Sequence, residues 1–477
     1  MSQKNETVIL VLSLAITLAL ASAGIWWLTK SKDINLGSKS SEKLISDNST
    51  TANASQSQQS VEQRLSLGEK LLIPGGATTK KQEAVAAIAS SNYNTAISNL
   101  EASLQTNRND PEALIYLNNA RIGDQKSYTI AVAVPIGSDI NAAQEILRGV
   151  AQAQNEINQS GGISSIPLKV LIANDDNNPE IASKIASDLA RKSEVLGVVG
   201  HFGSDVTLAA SKVYQQNQLV AISPTSTSVQ LSGIGSNIFR TVPSDRFAAN
   251  ALSRYMLGKL KKQKVVVFFN STSSYSNSLK NEFTTAIYAD GGQIISEFDL
   301  ANGNFNAADS VEKAIAQGAE AIMLASNSST IEQALQVVKF NAKRLPLLAG
   351  DGAYTAKILQ IGAAGATGMT IAVPWHILAD PQSSFPQASK LLWNAEVSWR
   401  TALAYDAAKA LIAGLQVNPT RSGIQKALSA SDFSVMGANG AIRFLASGDR
   451  NQAVQLVTVQ PGNRTSYGYD FVPISGL

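Results

Sequence analysis

Residues 198–207 read Val-Val-Gly-His-Phe-Gly-Ser-Asp-Val-Thr, and residues 220–228 read Val-Ala-Ile-Ser-Pro-Thr-Ser-Thr-Ser. In both stretches an apolar run suited to a buried parallel strand breaks into small residues and hydroxyls, and the first continues into a helical pattern over 208–215. Such a junction directs backbone N–H groups, hydroxyls and the positive end of a helix dipole towards one spot. The pattern predicts a carboxylate site. The alternative is that Ser204 and Thr225 only cap helices and form turns.

From residue 128 onward, strand-like runs alternate with amphipathic helical patterns, which predicts parallel sheets flanked by helices. The runs with strand character are 129–136, 167–174, 195–201, 219–223, 264–269, 293–298, 319–325, 345–349, 368–373 and 452–459. Ten strands exceed one small doubly wound sheet, so we expect two lobes. A ligand cleft is then expected at the carboxyl ends of the strands.

The composition bounds the function. The chain has 477 residues, 44% of them apolar, a formal net charge of +3 and no cysteine. The chain is therefore long enough for two domains. Its charge is too nearly balanced to attract nucleic acid through a strong electrostatic field, and it has no thiol for catalysis or metal binding. His201 and His376 have no second ligand at metal spacing, no carboxylate pair is placed for acid/base work, and no phosphate loop is present. We expect no enzyme activity, no metal and no cofactor.

Residues 8–28 form an uninterrupted run of apolar and small residues, long enough to cross a hydrocarbon core. The run ends with Trp26 and Trp27, which suit a membrane interface. We expect residues 1–30 to be an uncleaved, single-pass membrane anchor. The alternative is a cleaved signal peptide, because residues 21–23, Ala-Ser-Ala, have the form that signal peptidase accepts.

Residues 31–80 are expected to form a disordered linker, because the stretch is rich in Ser, Asn, Gln, Lys and Thr up to about residue 61. Over 81–122 the apolar residues recur at spacings of three and four, which predicts a short helical hairpin. The hairpin resembles a single tetratricopeptide unit. One such unit cannot cover its own apolar face, so we expect it to pack on the following domain or on a partner.

The order of several motifs carries a family resemblance. Residues 200–204, Gly-His-Phe-Gly-Ser, are followed by 222–227, Ile-Ser-Pro-Thr-Ser-Thr, then by 239–241, Phe-Arg-Thr, and Asp245. This order resembles the type I periplasmic solute-binding proteins, in the branch that binds leucine, isoleucine and valine for ABC transporters. By position the resemblance extends from about residue 127 to the C-terminus.

The resemblance implies an α/β fold of two Rossmann-like lobes joined by a multi-crossover hinge, here preceded by the membrane helix and the helical hairpin. Lobe 1 would comprise residues 127–246 and 375–451. Lobe 2 would comprise residues 247–374 and 452–470.

A binding site follows from the same resemblance. Ser204, Thr225 and Thr227, with Ser226 between the last two, fall where the family holds the α-carboxylate of an amino acid. Tyr275 falls where a tyrosine closes over the ligand, and Asp351 where an acidic residue binds the α-ammonium. A carboxylate cradle on one lobe and a carboxylic acid on the other would favour closure around a zwitterion.

Some positions depart from the family pattern. Residues 326–329 read Ser-Asn-Ser-Ser where a second tyrosine is expected, which leaves Asn327 in place of an aromatic wall. Trp375 would either supply that wall or be a buried hinge aromatic. Asp205 would repel a carboxylate, so we expect it to point outward or to contact a positive or amide group of the ligand. The sequence therefore does not distinguish among amino acids, short amides and urea-like solutes as the ligand.

The expected function is that of an extracytoplasmic solute-binding protein, tethered to the membrane through residues 8–28. It would close on an amino acid or related small amide and present it to an ABC-type permease. The alternative is a membrane-tethered ligand sensor or scaffold that uses the same cleft to signal to a membrane receptor.

Overall fold

A computed structural model of the protein describes residues 61–380 and 382–474. The predicted anchor over 1–30, with its apolar run 8–28, lies outside the described residues, as does the part of the predicted linker before residue 61. Within the described ranges, no helix has both the length and the apolar character needed to cross a bilayer.

The described strands form two large sheets and one small hairpin. Their bounds are β1 Leu65–Ser66, β2 Tyr128–Val134, β3 Leu168–Asn174, β4 Val195–Val199, β5 Val220–Ser223, β6 Ile238–Arg240, β7 Lys264–Phe269, β8 Gln293–Asp299, β9 Ala321–Ala325, β10 Leu347–Ala349, β11 Thr370–Val373, β12 Val435–Gly437, β13 Gly440–Ile442, β14 Gln455–Pro461 and β15 Tyr469–Pro473. All ten predicted runs form strands. The five that were not predicted have two to five residues, too few to show a periodic pattern.

The α-helices flank these sheets. Their bounds are α1 Thr79–Ala89, α2 Tyr93–Thr106, α3 Pro111–Ile122, α4 Ile140–Gln159, α5 Pro179–Arg191, α6 Ser204–Gln216, α7 Asp245–Arg254, α8 Ser274–Ala289, α9 Ala307–Ala316, α10 Ile331–Asn341, α11 Ala363–Ala366, α12 Phe385–Trp393, α13 Trp399–Val417 and α14 Arg421–Leu428. Helices between parallel strands give each lobe its α/β layers.

Lobe 1 contains the sheet in the order β1-β3-β2-β4-β5-β6. All of these strands run parallel except β1, which pairs antiparallel with β3. Val199 pairs with Ile222, and Ile222 in turn pairs with Phe239. This register brings the carboxyl ends of β4, β5 and β6 to one edge, so the loops that follow them lie side by side.

Lobe 2 contains the sheet in the order β15-β14-β11-β10-β9-β7-β8. The strands from β7 to β11 are parallel, and β14 and β15 add an antiparallel edge. The chain therefore passes from the first sheet to the second after β6 and returns to the second sheet for β14 and β15. Several connections between the lobes are the basis of a hinge.

Helix α13 belongs to lobe 1 although it follows most of lobe 2 in sequence. It packs along α4, and the two helices approach closely at Gly149. A Cβ atom at Gly149 would lie 2.2 Å from the backbone oxygen of Thr401, so only glycine allows this contact. The packing fixes the start of α13 at the edge of lobe 1 that faces lobe 2.

The predicted helical hairpin consists of three helices, α1 to α3, and it packs on lobe 1. The Asn119 side chain donates to the backbone oxygens of Val170 and Leu67 at 2.8 Å each, and it accepts from the Val170 N–H at 3.1 Å. One side chain thus binds α3 to both β3 and the segment before α1. The expectation that the helices pack on the following domain matches this contact, whereas their assignment as a tetratricopeptide unit stays a prediction.

The prediction of a disordered linker over 31–80 extends too far towards the C-terminus. Among its residues, 61–80 have a described structure: β1 pairs with β3, Ile73 is buried, and α1 begins at Thr79. The N–H groups of Leu72 and Ile73 both donate to Glu112, at 2.7 and 3.2 Å. A few apolar residues in this stretch find partners on α3 and β3. These apolar residues were missed because the residues before 61 are strongly polar and dominate the average composition of 31–80.

Candidate functional site

A cavity of about 390 Å³ lies between the lobes, at the carboxyl ends of their strands. Its volume is suited to a small metabolite. The lining from lobe 1 consists of Asn177, Pro179, Phe202, Gly203, Ser204, Asp205, Thr225, Trp399 and Arg400, and the lining from lobe 2 consists of Asn270, Thr272, Ser273, Tyr275, Asn327, Ser328, Ser329, Asp351 and Gly352. A hollow of about 550 Å³ between α2, α3 and α12 lies away from the strand ends, so we take the interlobe cleft as the site.

The start of helix α6 forms one wall of the cleft. Its N-cap is Gly203, which provides no side-chain cap, so the first N–H groups of the helix lack the usual internal acceptor. The Ser204 hydroxyl accepts from the Ser228 N–H at 3.3 Å, and no acceptor for its own hydrogen lies among the described residues. A helix start and a free hydroxyl donor together suit an anionic group.

The three hydroxyl residues after β5 differ in their placement. Thr225 lines the cleft, but its hydroxyl lies 2.8 Å from the Phe202 carbonyl oxygen, to which it donates. Ser226 and Thr227 are buried and do not line the cleft: the Ser226 hydroxyl lies 2.7 Å from that of Thr207, and Thr227 Oγ1 has no partner among the described residues. The expected cradle is therefore reduced at the cleft surface to Ser204, Thr225 and the helix start.

On lobe 2, Asp351 and Tyr275 form a buried pair. The Tyr275 hydroxyl donates to Asp351 Oδ1 at 3.0 Å and accepts from the Gly352 N–H at 3.0 Å. Burial raises the pKa of the Asp351 carboxyl to about 6, and the positive charge of Arg400 opposes this rise. Burial, and then the Asp351 charge, also raise the pKa of Tyr275 well above its usual value. An ammonium group beside Asp351 would stabilise its carboxylate form.

Asp205 binds the opposite lobe. Its two carboxylate oxygens accept from the Ser274 N–H at 3.1 and 3.2 Å. The expectation that Asp205 points outward is wrong, because the start of α8 offers N–H donors directly across the cleft. Contact with a positive or amide group of a ligand stays a prediction.

With this geometry in view, comparison with known proteins identifies the family. A family model described as periplasmic binding protein matches residues 127–464. The chain belongs to the periplasmic binding protein family. Curated relatives and a solved structure that resemble the chain are described next.

This periplasmic binding protein is 32% identical over 197 residues to an amino acid binding protein of Pseudomonas aeruginosa, a match that covers 40% of the chain and 52% of the relative. It is 30% identical over 155 residues to Leu/Ile/Val-binding protein homolog 1 of Brucella abortus, covering 32% of the chain and 41% of the relative. The chain thus spans about half or less of the length of these curated relatives. A solved ABC transporter substrate-binding protein of Desulfitobacterium hafniense has a TM-score of 0.62 and 25% identity, covering 73% of this chain and all of that one.

Asn327 of this periplasmic binding protein lines the cleft where an aromatic wall is absent. Its Oδ1 accepts from Asn270 Nδ2 at 3.1 Å and from the hydroxyls of Ser329 and Thr330 at 2.9 Å each. The oxygen of the amide is thereby used inside lobe 2. This part of the cleft is a polar surface built on the loops after β7 and β9.

Trp375 does not supply the missing wall. It is 3% exposed and packs edge-to-face with Phe385 at 5.9 Å between ring centres. Trp375 is therefore a buried aromatic near the crossover, which was the alternative prediction for this residue. Aromatic side chains at the cleft come instead from Phe202, Tyr275 and Trp399.

Trp399 and Arg400 were missed by the sequence reasoning. They form the first turn of α13, and the guanidinium carbon of Arg400 lies 4.5 Å from the centre of the Trp399 ring. Arg400 Nη1 donates to the Tyr354 backbone oxygen of lobe 2 at 3.2 Å. The available signal was weak: an aromatic residue and a cation directly after the N-cap serine, Ser398, at the point where the chain returns to lobe 1.

Proposed function

We propose that the protein is an extracytoplasmic solute-binding protein that closes its two lobes on an amino acid and presents it to an ABC-type permease. One observation carries this proposal: an open helix start on lobe 1 and a buried carboxyl on lobe 2 line the same cleft. A free α-amino acid has a negative and a positive group on one carbon atom. The two walls offer matching partners for both.

The α-carboxylate is assigned to the start of α6. The Ser204 hydroxyl and the N–H groups of the first turn would donate to it, with the helix dipole adding favourable charge. Thr225 forms the adjacent wall and holds the loop after β4 through its bond to Phe202. Ser226, Thr227 and Trp375 act behind the wall rather than on the ligand, which is supported by their absence from the described lining of the cleft.

The α-ammonium is assigned to Asp351, which Tyr275 holds in place by a hydrogen bond. A charged hydrogen bond of this kind is stronger than one between neutral groups. It also links ligand binding to lobe 2, because Asp351 and Tyr275 both belong to that lobe. Asn327 would add a polar contact from the same lobe.

Closure is favoured because the ligand and the protein both bridge the lobes. Besides the Asp205–Ser274 contact, the Ser328 hydroxyl donates to Asp139 at 2.8 Å, which joins lobe 2 to the start of α4. A ligand held by both walls would shift the population towards this arrangement. A permease can then distinguish the closed, loaded form from the open form.

The family, periplasmic binding protein, supports a location outside the cytoplasm, and the name of the similar ABC transporter substrate-binding protein supports a permease partner. We extend the proposal to a membrane tether formed by residues 8–28. A sensor or scaffold role is the second candidate. It is favoured by α1–α3, which are bound to lobe 1 through Asn119 and would move with it.

The test is isothermal titration of the full-length chain, kept in detergent, with the standard amino acids, acetamide and urea. We expect an amino acid to bind and the Asp351→Asn variant to lose about 2–5 kcal/mol of binding free energy, because a buried ammonium would lose its charged partner. Asp309→Asn, an exposed carboxylate at the start of α9, is the matched control and should bind normally. Unchanged affinity in Asp351→Asn would remove this residue from the site.

Transport and sensing are separated by a second measurement. If the chain serves a permease, the amino acid that binds should stimulate the ATPase activity of that permease in proteoliposomes only when this protein is present. A sensor should bind the same amino acid without stimulating any permease.

A further inference from the structure

Arg400 is a cation in the cleft to which the proposed function assigns no group of the ligand. It is half-buried, and its guanidinium forms no ion pair with a carboxylate of the described residues. Its one hydrogen-bond acceptor in the described structure is the Tyr354 backbone oxygen, and its Nε is buried without a partner. Burying this guanidinium without a hydrogen-bond acceptor costs free energy when the cleft closes, unless the ligand provides an acceptor.

The other two charged side chains that line the cleft, Asp205 and Asp351, each have a partner or an assigned role. Asp205 is bound to the start of α8 through Ser274. Asp351 is assigned to the α-ammonium under the proposed function. Once a zwitterion is bound, Arg400 therefore has no carboxylate in direct contact, although its charge still acts on the Asp351 carboxyl from a distance.

The position of the guanidinium is fixed from two sides. Its carbon lies 4.5 Å from the centre of the Trp399 ring, within the range of a cation–π contact, and Nη1 is bound to lobe 2. A planar guanidinium held in this way is suited to a carboxylate, which it can bind with two parallel hydrogen bonds. Trp399 Nε1, buried and without a partner among the described residues, adds a second unused donor on the same turn.

The loops after β7 and β9 make the lobe 2 side of the cleft polar. They contribute Asn270, Thr272, Asn327, Ser328 and Ser329 to the lining, whereas lobe 1 contributes the apolar surface of Pro179, Phe202 and Trp399. An aliphatic group would displace the water around these polar groups without offering hydrogen bonds in exchange. A ligand side chain with acceptor oxygens would avoid that cost.

Resting on the proposed function, we propose that the ligand is an acidic amino acid and that Arg400 binds its side-chain carboxylate. Trp399 orients the guanidinium, and the polar lining of lobe 2 surrounds the side chain. Arg400 then determines specificity, whereas Asp351 and the start of α6 bind the groups common to all amino acids.

The experiment is titration of the full-length chain with L-glutamate, L-aspartate, L-glutamine and L-leucine. We expect one of the two acidic amino acids to bind about tenfold or more tightly than glutamine and leucine. Arg400→Gln should lower the affinity for the acidic amino acid by about tenfold or more and change that for glutamine by less than about threefold. Arg246→Gln removes an exposed cation of α7 outside the cleft and should leave all four affinities unchanged.

The outcomes separate this inference from the proposed function. Leucine or glutamine binding as tightly as the acidic amino acids, with affinity still lost in Asp351→Asn, would overturn the role of Arg400 and leave the proposed function standing. Binding of no amino acid would overturn both. Should Arg400→Gln lower the thermal unfolding midpoint, Arg400→Lys, which keeps the charge but lacks the planar fork, should still weaken binding of the acidic amino acid selectively. Equal losses for glutamate and leucine in Arg400→Lys would contradict the inference.

Discussion

Asp205 on lobe 1 and Ser274 on lobe 2 are joined across the cleft: both oxygens of the carboxylate accept the Ser274 N–H, at 3.1 and 3.2 Å. A side chain of one lobe thus caps a helix, α8, of the other. The contact needs no ligand atom, so it contributes to closure by itself. It lies directly beside Ser204, the residue assigned to the ligand carboxylate.

Replacing Asp205 by alanine should shift the protein towards the open form. A hydrogen bond to a charged group contributes about 1.5–3 kcal/mol, so we expect ligand affinity to fall by about tenfold or more. Small-angle X-ray scattering of the ligand-free variant should give a larger radius of gyration than the parent protein. Asp309→Ala, which removes an exposed carboxylate from the start of α9, is the control. A variant that binds tightly and scatters like the parent would show that this contact does not influence closure.

Binding should also depend on pH through Asp351. Its carboxyl has a pKa raised to about 6, chiefly by burial, in surroundings that include Tyr275, Arg400 and Asp245. An ammonium group requires the carboxylate form, so the affinity should rise as the pH increases through 6, by up to about tenfold per pH unit below that value, and level off above 7.

Titration calorimetry at pH 5, 6, 7 and 8 measures this dependence. Asp351→Asn should give weak binding with a flat profile, whereas Asp309→Asn should keep the profile of the parent. If the parent protein bound equally well at pH 5 and pH 8, Asp351 could not be the partner of the ammonium.

The sequence predicted those parts of the site that depend on local pattern. Ser204, Tyr275 and Asp351 lie in the segments that follow the ends of β4 at Val199, β7 at Phe269 and β10 at Ala349, and parallel strands present their carboxyl ends at one edge. Their placement at the cleft agrees with that reasoning, while their contact with a ligand stays a prediction. The hydroxyls of Ser226 and Thr227 show the limit of the argument, because a residue type does not reveal whether its hydroxyl faces the cleft or holds the loop.

The parts that were missed depend on contacts between distant segments. Arg400 reaches the cleft only because α13 packs on α4, at a contact set by Gly149 more than 240 positions earlier. The contact between Asp205 and Ser274 was missed because the two residues lie on different lobes, 69 positions apart in the sequence. Strand β1 was assigned to a linker because its two residues gain stability from pairing with β3 rather than from their own pattern.

Asn119 provides a test of how α1–α3 are held on lobe 1. Its amide makes bonds to Leu67 and Val170 and also accepts from Gln154 Nε2 at 2.9 Å. Asn119→Ala would leave buried backbone groups of β3 without partners, at a cost of about 1–3 kcal/mol per group. We expect a lower midpoint of urea unfolding and faster proteolysis within 61–122. Asn94→Ala, an exposed position on α2, should change neither.

Asp245 should make the stability of the protein depend on pH. Burial raises the pKa of this carboxyl to about 7, against the opposing effect of the nearby Ser278 and Thr227 hydroxyls, and neither oxygen has a partner at normal hydrogen-bond distance among the described residues. The unfolded chain has a pKa near 4 for the same group. Between pH 4 and 7 the folded state therefore holds more protons than the unfolded state, and the free energy of unfolding must fall as the pH rises through this window.

Urea unfolding at pH 5 and pH 8 measures the size of this effect. A shift of one pKa unit corresponds to about 1.4 kcal/mol, so the contribution of Asp245 should reach up to about 3 kcal/mol between these two pH values. Asp245→Asn replaces the carboxyl by a neutral amide of similar shape, so the variant should lose less stability than the parent at pH 8. Because the pKa of Asp351 is also raised, the free energy of unfolding of the variant should still fall with rising pH, but by less than in the parent protein. Identical pH dependence in the parent and in Asp245→Asn would mean that the carboxyl is solvated or paired in the folded protein.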